Sequence, residues 1–330
     1  MKLTYRCVQK GLRIVLKISN LVFATKLNSM HNLKSNFDKF CVICKKIFKD
    51  AVNKDFNFRT YPVKPKMNDI SILALSCCME SLGIDSENLL WSKLQTDYAT
   101  DFPDLIDRTR FNRRRRRLQP QIARIQDCIA LRLTNECDTM IIDSVPVPVI
   151  KLARETSYKI CKQDYETAPA KGYSAVNKGW FIGYKLHLVI FGNGVVQQSG
   201  ITKGNVHDIN YLKSIETLPS NKDLLGDRAF LSKTVQLNLF ENFEVRLRVP
   251  FRSNQYAYKK YPKNLKGKRQ MIETVFAQLC DQFNLKRNYA KTYSGILTRL
   301  SSKVSAISIL NFINFTNGVK LSRLKHALSF

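Results

Sequence analysis

The 330-residue sequence predicts an α/β chain, with a helical N-terminal region followed by a mixed sheet flanked by helices. Three observations predict it. Apolar residues recur at helical spacing from Met67 to about Leu133. After Cys137 the period drops to two, the spacing of a strand with one buried face. From there strand-like and helix-like segments alternate to the end of the chain.

In order, Ile70, Leu73, Ala74, Cys77 and Cys78 form a first helical stripe. Ser86 with Glu87 opens a second helix carrying Leu90, Trp91 and Leu94, since a serine oxygen can cap free helical N–H groups. Ile122, Ile125, Ile129 and Leu133 make a third stripe. Thr139 to Val149 is β-rich and is stopped by Pro146 and Pro148. Trp180 to Ile190 alternates as a strand, Gly192-Asn-Gly194 turns, and Val195 to Thr202 returns antiparallel. Asn205 is placed to cap a helix through Ile215. Asp223 to Asp227 is a fourth strand, a helix follows from about Leu231, and Phe243 to Val249 alternates as a fifth. Ile272, Val275, Phe276, Leu279 and Phe283 mark a last amphipathic helix. This order resembles the RNase H-like fold, a mixed five-stranded sheet flanked by helices.

Composition narrows the partner. Fifty-four Lys and Arg face 26 acids, a formal charge of +28, which suits a polyanion because neutralised phosphates release condensed counterions. The excess is uneven: residues 1–117 hold 23 bases against 11 acids. Within them Arg108-Thr-Arg-Phe-Asn-Arg-Arg-Arg-Arg-Arg117 reads as a DNA contact through Arg110, Arg113, Arg114, Arg115, Arg116 and Arg117, or as a solvated charged face. Nine cysteines without a repeating spacing argue against a disulfide framework. Cys41-x-x-Cys44 with His31 nearby is a zinc possibility, and buried free thiols are the commoner reading. The apolar run Val304–Phe315 is too short to span a bilayer and no signal peptide is seen, so a cytoplasmic protein without a membrane partner is expected.

Three acids fall on elements that such a fold brings together. Asp143 lies in the first strand, Asp227 ends the fourth, and Glu273 flanks the apolar stripe of the last helix. Carboxylates suit hard cations such as Mg²⁺, and two such ions about 4 Å apart can activate an attacking oxygen and neutralise the leaving one in phosphodiester transfer. The alternative is ordinary ion pairing, for which Arg269, four residues before Glu273, and Arg228, beside Asp227, are available.

The motifs around these acids resemble those of a known family. Ile142-Asp143-Ser-Val-Pro146, Gly183-Tyr-Lys-Leu-His187, Asn205-Val-His-Asp208, Leu225-Gly-Asp227-Arg-Ala-Phe230 and Arg269-Gln-Met-Ile-Glu273 occur in the order found in DDE transposases of bacterial insertion sequences, most like insertion-sequence family 982. Phe102-Pro-Asp and Arg110-Phe-Asn-Arg-Arg-Arg resemble that family's N-terminal part. The resemblance covers about three quarters of the chain, from about Met67 to Phe315. It implies a catalytic and metal-binding triad of Asp143, Asp227 and Glu273 with two Mg²⁺, which Mn²⁺ can replace. It also implies cleavage at insertion-sequence ends and strand transfer into target DNA, in a bacterial, nucleoid-associated setting. The double-stranded DNA partners would be terminal inverted repeats and target, bound by a homodimer on paired ends. The chain departs from related patterns at Phe230, where tyrosine is frequent, and at Lys266 and Cys280, where a wider signature has tyrosine and lysine. A nuclease of the same fold without strand transfer and an inactive DNA-binding transposase relic are the rival readings.

The expected organisation is a basic extension at 1–29, disordered or an upstream misread start, a helical DNA-binding region at 30–134, a catalytic domain at 135–316 and a basic tail at 317–330. Lys185 and His187, opposite the apolar row of their strand, are placed to meet DNA or the metal site, although a strand histidine is more often packed. Arg269 is a candidate phosphate clamp. Lys259, Lys260, Lys263, Lys266 and Lys268 crowd an acid-free stretch before the last helix that is expected to track DNA, with a solvated loop as the alternative.

Overall fold

The structure, a computed structural model, describes residues 32–133, 137–176, 178–251 and 262–329. The extension at 1–29 and the basic residues Lys259 and Lys260 lie outside the described residues, as does His31.

Five helices open the described chain. Helix α1 (Leu33–Ile47) starts where the Asn32 side chain accepts from Ser35 N, and it buries Leu33, Phe37, Phe40 and Cys44 on one stripe. Helix α2 (Asp69–Ser81), capped by Asn68, is buried nearly all round, which makes it a core helix rather than the one-faced helix its stripe predicts. Helix α3 (Glu87–Thr96) begins at Ser86, whose Oγ accepts from Leu89 N as the sequence predicts. Helix α4 (Arg108–Arg117) is capped by Asp107 and held by Phe111, whose ring lies 4.8 Å from that of Trp91. Helix α5 (Gln119–Leu133) buries Ile122, Ile125, Ile129 and Leu133, the predicted stripe.

The sheet follows, with strands β1 (Thr139–Ile150), β2 (Ala170–Ser174), β3 (Gly179–Phe191), β4 (Val196–Lys203), β5 (Asp223–Leu225) and β6 (Arg246–Arg248). The order is β2-β3-β1-β5-β6, and β4 also pairs with β3. β2 and β4 share one edge of β3, pairing with Gly179–Gly183 and Tyr184–Ile190 respectively. β1 runs antiparallel to β3 and parallel to β5, which is parallel to β6. This is a mixed sheet, as predicted, with one short strand, β2, that the sequence pattern does not announce. β3 is buried on both faces rather than one, because helices cover both sides of the sheet. The Gly192–Gly194 turn forms with Gly194 at φ +90°, a conformation open to glycine without strain.

Four helices complete the fold: α6 (Asp208–Lys213), α7 (Lys233–Phe243), α8 (Lys263–Asp281) and α9 (Tyr293–Thr316). α6 starts two residues later than Asn205 would place it, with His207 as a cap that makes no side-chain bond. α8 takes up Lys263, Lys266 and Lys268 in its first turns, so this part of the basic stretch is helix rather than loop. α9 is the hub. It packs against α2, α4, α5 and β4, and Ser305 Oγ donates to the Ile122 carbonyl at 2.5 Å. By length and composition this 24-residue helix could cross a membrane, a wider apolar span than the run Val304–Phe315 suggests, but 89% of its apolar window is buried inside the fold. Because α9 sits among the N-terminal helices, one apolar core runs from Leu33 to Leu328. The C-terminal stretch is packed rather than trailing: Leu324, Ala327 and Leu328 are buried, and Ser329 N donates to the Asn36 side chain at 2.8 Å.

Candidate active site

Strand register sets the geometry at the sheet's centre. Ile141 pairs with Leu225 in the parallel β1–β5 ladder. Asp143 and Asp227 each stand two residues past that pair, and the chain remains extended at Asp227. Two residues is one full pleat, so both aspartates fall on the same face at the same level of neighbouring strands, which lie about 4.8 Å apart. Both are half-buried. Each carboxylate is aimed by its own backbone: Asp143 accepts from Ser144 N at 2.7 Å, and Asp227 accepts from Ala229 N at 2.8 Å.

The electrostatics match that placement. The Asp143 carboxyl is pushed up to about 6, first because burial strips water from its charged form, with the charges of Asp227 and Asp208 adding to it. The Ser144 N–H bond and the charge of Arg269 pull the other way. The charge of Arg269, on α8, thus acts on Asp143, and its Nε is buried with no hydrogen-bond partner among the described residues. Lys268 Nζ, beside it, donates to Thr139 Oγ1 at 3.2 Å and ties α8 to the start of β1.

Glu273 is placed differently. It is exposed, one turn beyond Arg269 on α8, and makes no ion pair or hydrogen bond among the described residues. Among those residues no group of three His, Cys, Asp or Glu side chains is close enough to hold an ion. The structure thus brings together two of the three predicted acids. The contacts of α8 show why: Met271 and Val275 pack at Gly194, at the end of the sheet away from the aspartates.

Lys185 and His187 face inward rather than toward DNA. Lys185 Nζ donates to the Val206 carbonyl at 2.9 Å and to Asp208 Oδ1 at 3.0 Å. His187 is fully buried, stacked on Tyr211 with ring centroids 4.5 Å apart, and its Nε2 lies 2.8 Å from Thr202 Oγ1. Burial holds its imidazolium form down, at about 4, against the opposing pull of Asp208. The face they occupy is closed by α6, which packs so tightly that a Cβ on Gly200 would stand 2.3 Å from the Tyr211 ring. Asp208, which the sequence offers with His207 at a helix start, is a residue of the site. It accepts from Ser144 Oγ at 3.0 Å as well as from Lys185, and so fixes the backbone next to Asp143. Its signal in the sequence is its place in the Asn205-Val-His-Asp208 motif.

The basic run of α4 divides by helical face. Arg110, Arg113 and Arg117 are exposed. Arg114 pairs with buried Asp69 at 2.5 Å. Arg115 is buried between Glu87, at 3.0 Å, and Glu80, at 3.5 Å. Arg116 is half-buried, with its Nε 3.4 Å from the Asn112 carbonyl. Arg114 and Arg115 are therefore paired with acids of the helical region and do not belong to its exposed basic face.

Residues 134–290 match the family model of a transposase DDE domain, a segment that contains Asp143, Asp227 and Glu273. No curated protein and no solved structure matches the chain. Transposase DDE domains generally use divalent metal ions. The curled mixed sheet with its flanking helices is consistent with such a domain, and the match supports a DDE transposase, an enzyme acting on DNA.

Proposed function

We propose that this chain is a transposase that cleaves DNA at the ends of an insertion sequence and joins those ends to target DNA, as insertion-sequence family 982 does. The observation that carries the reading is the alignment of Asp143 with Asp227 on adjacent parallel strands, inside the segment that matches the DDE domain. The strand order, with β1 between antiparallel β3 and parallel β5, supports an RNase H-like core.

The aspartate pair fits a divalent cation. Two half-buried carboxylates that repel one another, one of them with its proton held up to about 6, are relieved by a cation between them. Asp143 and Asp227 would hold Mg²⁺ or Mn²⁺, and Glu273 would complete the set of ligands once α8 presents it to the pair. Bound there, the ions would supply an activated oxygen nucleophile and charge neutralisation at phosphorus. The chain's own groups do the rest. Arg269, whose charge acts on Asp143 and whose Nε has no partner among the described residues, would offer a donor to a phosphate oxygen, and Asp208 and Lys185 hold the Asp143–Ser144 backbone in place. Exposed Arg110, Arg113 and Arg117, with Lys266, supply backbone contacts to double-stranded terminal and target DNA. A homodimer on two paired ends, in a bacterial cytoplasm, completes the proposal.

One observation favours a second reading. Glu273 stands apart from the aspartates, as it would in a relic that binds DNA without cutting it. The test is to incubate the protein with its flanking terminal DNA and Mg²⁺, then map nicks and joined products for wild type, Asp143→Asn, Asp227→Asn and Glu273→Gln. Nicking and 3′-end joining by wild type alone support the transposase. Nicks without joined products favour a nuclease, and no products from any protein favour the relic.

A further inference from the structure

Away from the aspartates, a cavity of about 680 Å³ lies between the start of α3, the inner face of α4, and residues 289–295 leading into α9. Its walls carry Arg108, Arg115, Arg116, Lys291 and Arg299 against a single carboxylate, Glu87. That carboxylate is already engaged, accepting both Asn112 Nδ2 at 2.7 Å and Arg115 Nη1 at 3.0 Å.

The floor of the cavity is a buried charge cluster that is short of anions. Three buried cations, Arg115, Arg299 and Lys303, share Glu80, with Arg299 at 3.1 Å, and only Arg115 has a second carboxylate, Glu87. Burial lowers the proton affinity of both Arg115 and Lys303, as expected for cations whose hydration is incompletely replaced. Arg115 is 1% exposed, and its Nε makes no hydrogen bond among the described residues. A buried guanidinium with an open donor, on the wall of a cavity lined by four more cations, calls for an anion. Toward the mouth, Arg116 and exposed Lys291 have no carboxylate within ion-pair distance among the described residues.

We propose that this cavity is a phosphate-binding site that seats a backbone phosphate of a DNA strand, giving the helical region a second DNA contact distinct from the aspartate site. The identity of the polymer rests on the DNA-acting reading above, whereas the preference for a phosphate rests on the cavity alone. Arg115 and Arg299 form the fixed base of the site, while Arg116 and Lys291 close on the strand at its rim. A planar guanidinium fork suits two phosphate oxygens at once, which fits Arg115 and Arg299 to the base of the site.

The test uses the full chain in EDTA, so that DNA affinity is read without any cleavage. Fluorescence anisotropy with a labelled terminal duplex is measured from 50 to 200 mM salt for wild type, Lys291→Gln and Arg116→Gln/Lys291→Gln, with circular dichroism as a folding check. Lys291→Gln alone, at an exposed position, guards against misfolding of the double variant. The double variant is expected to bind at least about tenfold more weakly, and its log–log salt slope to fall by about one, the value for one lost phosphate contact. Pyrophosphate is expected to raise the melting temperature of wild type and not of the double variant. Affinity and slope unchanged in both variants would overturn the proposal. So would stabilisation by pyrophosphate with unchanged DNA affinity, which would mean a small phosphate compound occupies the cavity. Failure of the transposase reading would show instead as an absence of nicking with DNA affinity and its salt dependence intact.

Discussion

At the scale of single residues, Asp143 and His187 make opposite demands on pH. Asp143 is raised from 3.8 to about 6, so the folded chain holds a proton there that the unfolded chain has lost. Without metal, this contribution weakens folding as pH rises from about 4 to 6. His187 is lowered from 6.5 to about 4, so its contribution is intact above 6.5 and is lost as pH falls through that range to 4. Asp143→Asn should stabilise the metal-free protein at pH 7 by roughly 1–3 kcal/mol, since a tenfold change in proton affinity is worth about 1.4 kcal/mol. It should also steepen the loss of stability below pH 6. His187→Gln should make that acid limb shallower while lowering stability at pH 7. Urea melts between pH 4 and 8 in EDTA check both, and an unchanged profile in either variant would mean that its residue does not set the pH dependence. Gly200 belongs to the same scale. Its missing Cβ admits the Tyr211 ring against β4, so Gly200→Ala should lower stability by about 1–3 kcal/mol by overpacking, read from the same melts.

At the scale of elements, α4 shows how much of the site is legible in sequence and why the rest is not. The run of arginines announces a basic helix, but net charge carries no information about which arginines meet buried acids. Arg114 and Arg115 find Asp69, Glu80 and Glu87, residues 28 or more positions away that only packing brings near. Asp143 and Asp227 are legible because each ends a short apolar run, and the parallel ladder converts those positions into adjacency. Glu273 is legible as a motif, yet its reach depends on the placement of α8, which no local pattern specifies. Two-residue alternation turns His187 toward solvent, because the covering helix α6 is too short, at six residues, to announce a buried face. The division of α4 gives a prediction. Arg110→Gln/Arg113→Gln/Arg117→Gln should weaken DNA binding and lower the salt slope with little change in melting temperature, since exposed charges add little to stability. Arg115→Met, which removes the charged hydrogen bond to Glu87 and leaves Glu80 to Arg299 and Lys303, should lower stability by about 1–3 kcal/mol. Equal effects of the two on stability would contradict the division.

For the chain as a whole, α9 decides the architecture. The order of the sequence suggests a DNA-binding region and a catalytic domain joined in series. Instead α9, from the C-terminal part, lies among α2, α4 and α5, and its Arg299 and Lys303 meet Glu80 of α2. The two parts share one core, so thermal unfolding of the intact chain should follow a single transition. Residues 137–329 expressed alone should fail to give a cooperative melt, because the removal of α1–α5 exposes the apolar length of α9. Two separate transitions in the intact chain, or a cooperative melt of the isolated piece, would restore the serial arrangement.

The proposed chemistry depends on Asp143 and Asp227 holding a divalent cation in common. Mn²⁺ binding followed by electron paramagnetic resonance probes that shared site itself, using wild type, Asp143→Asn, Asp227→Asn and the distant control Asp164→Asn. Bound Mn²⁺ is expected in wild type and the control, with its loss in both single variants at the aspartate pair. Undiminished Mn²⁺ binding in Asp143→Asn and Asp227→Asn would rule the shared site out.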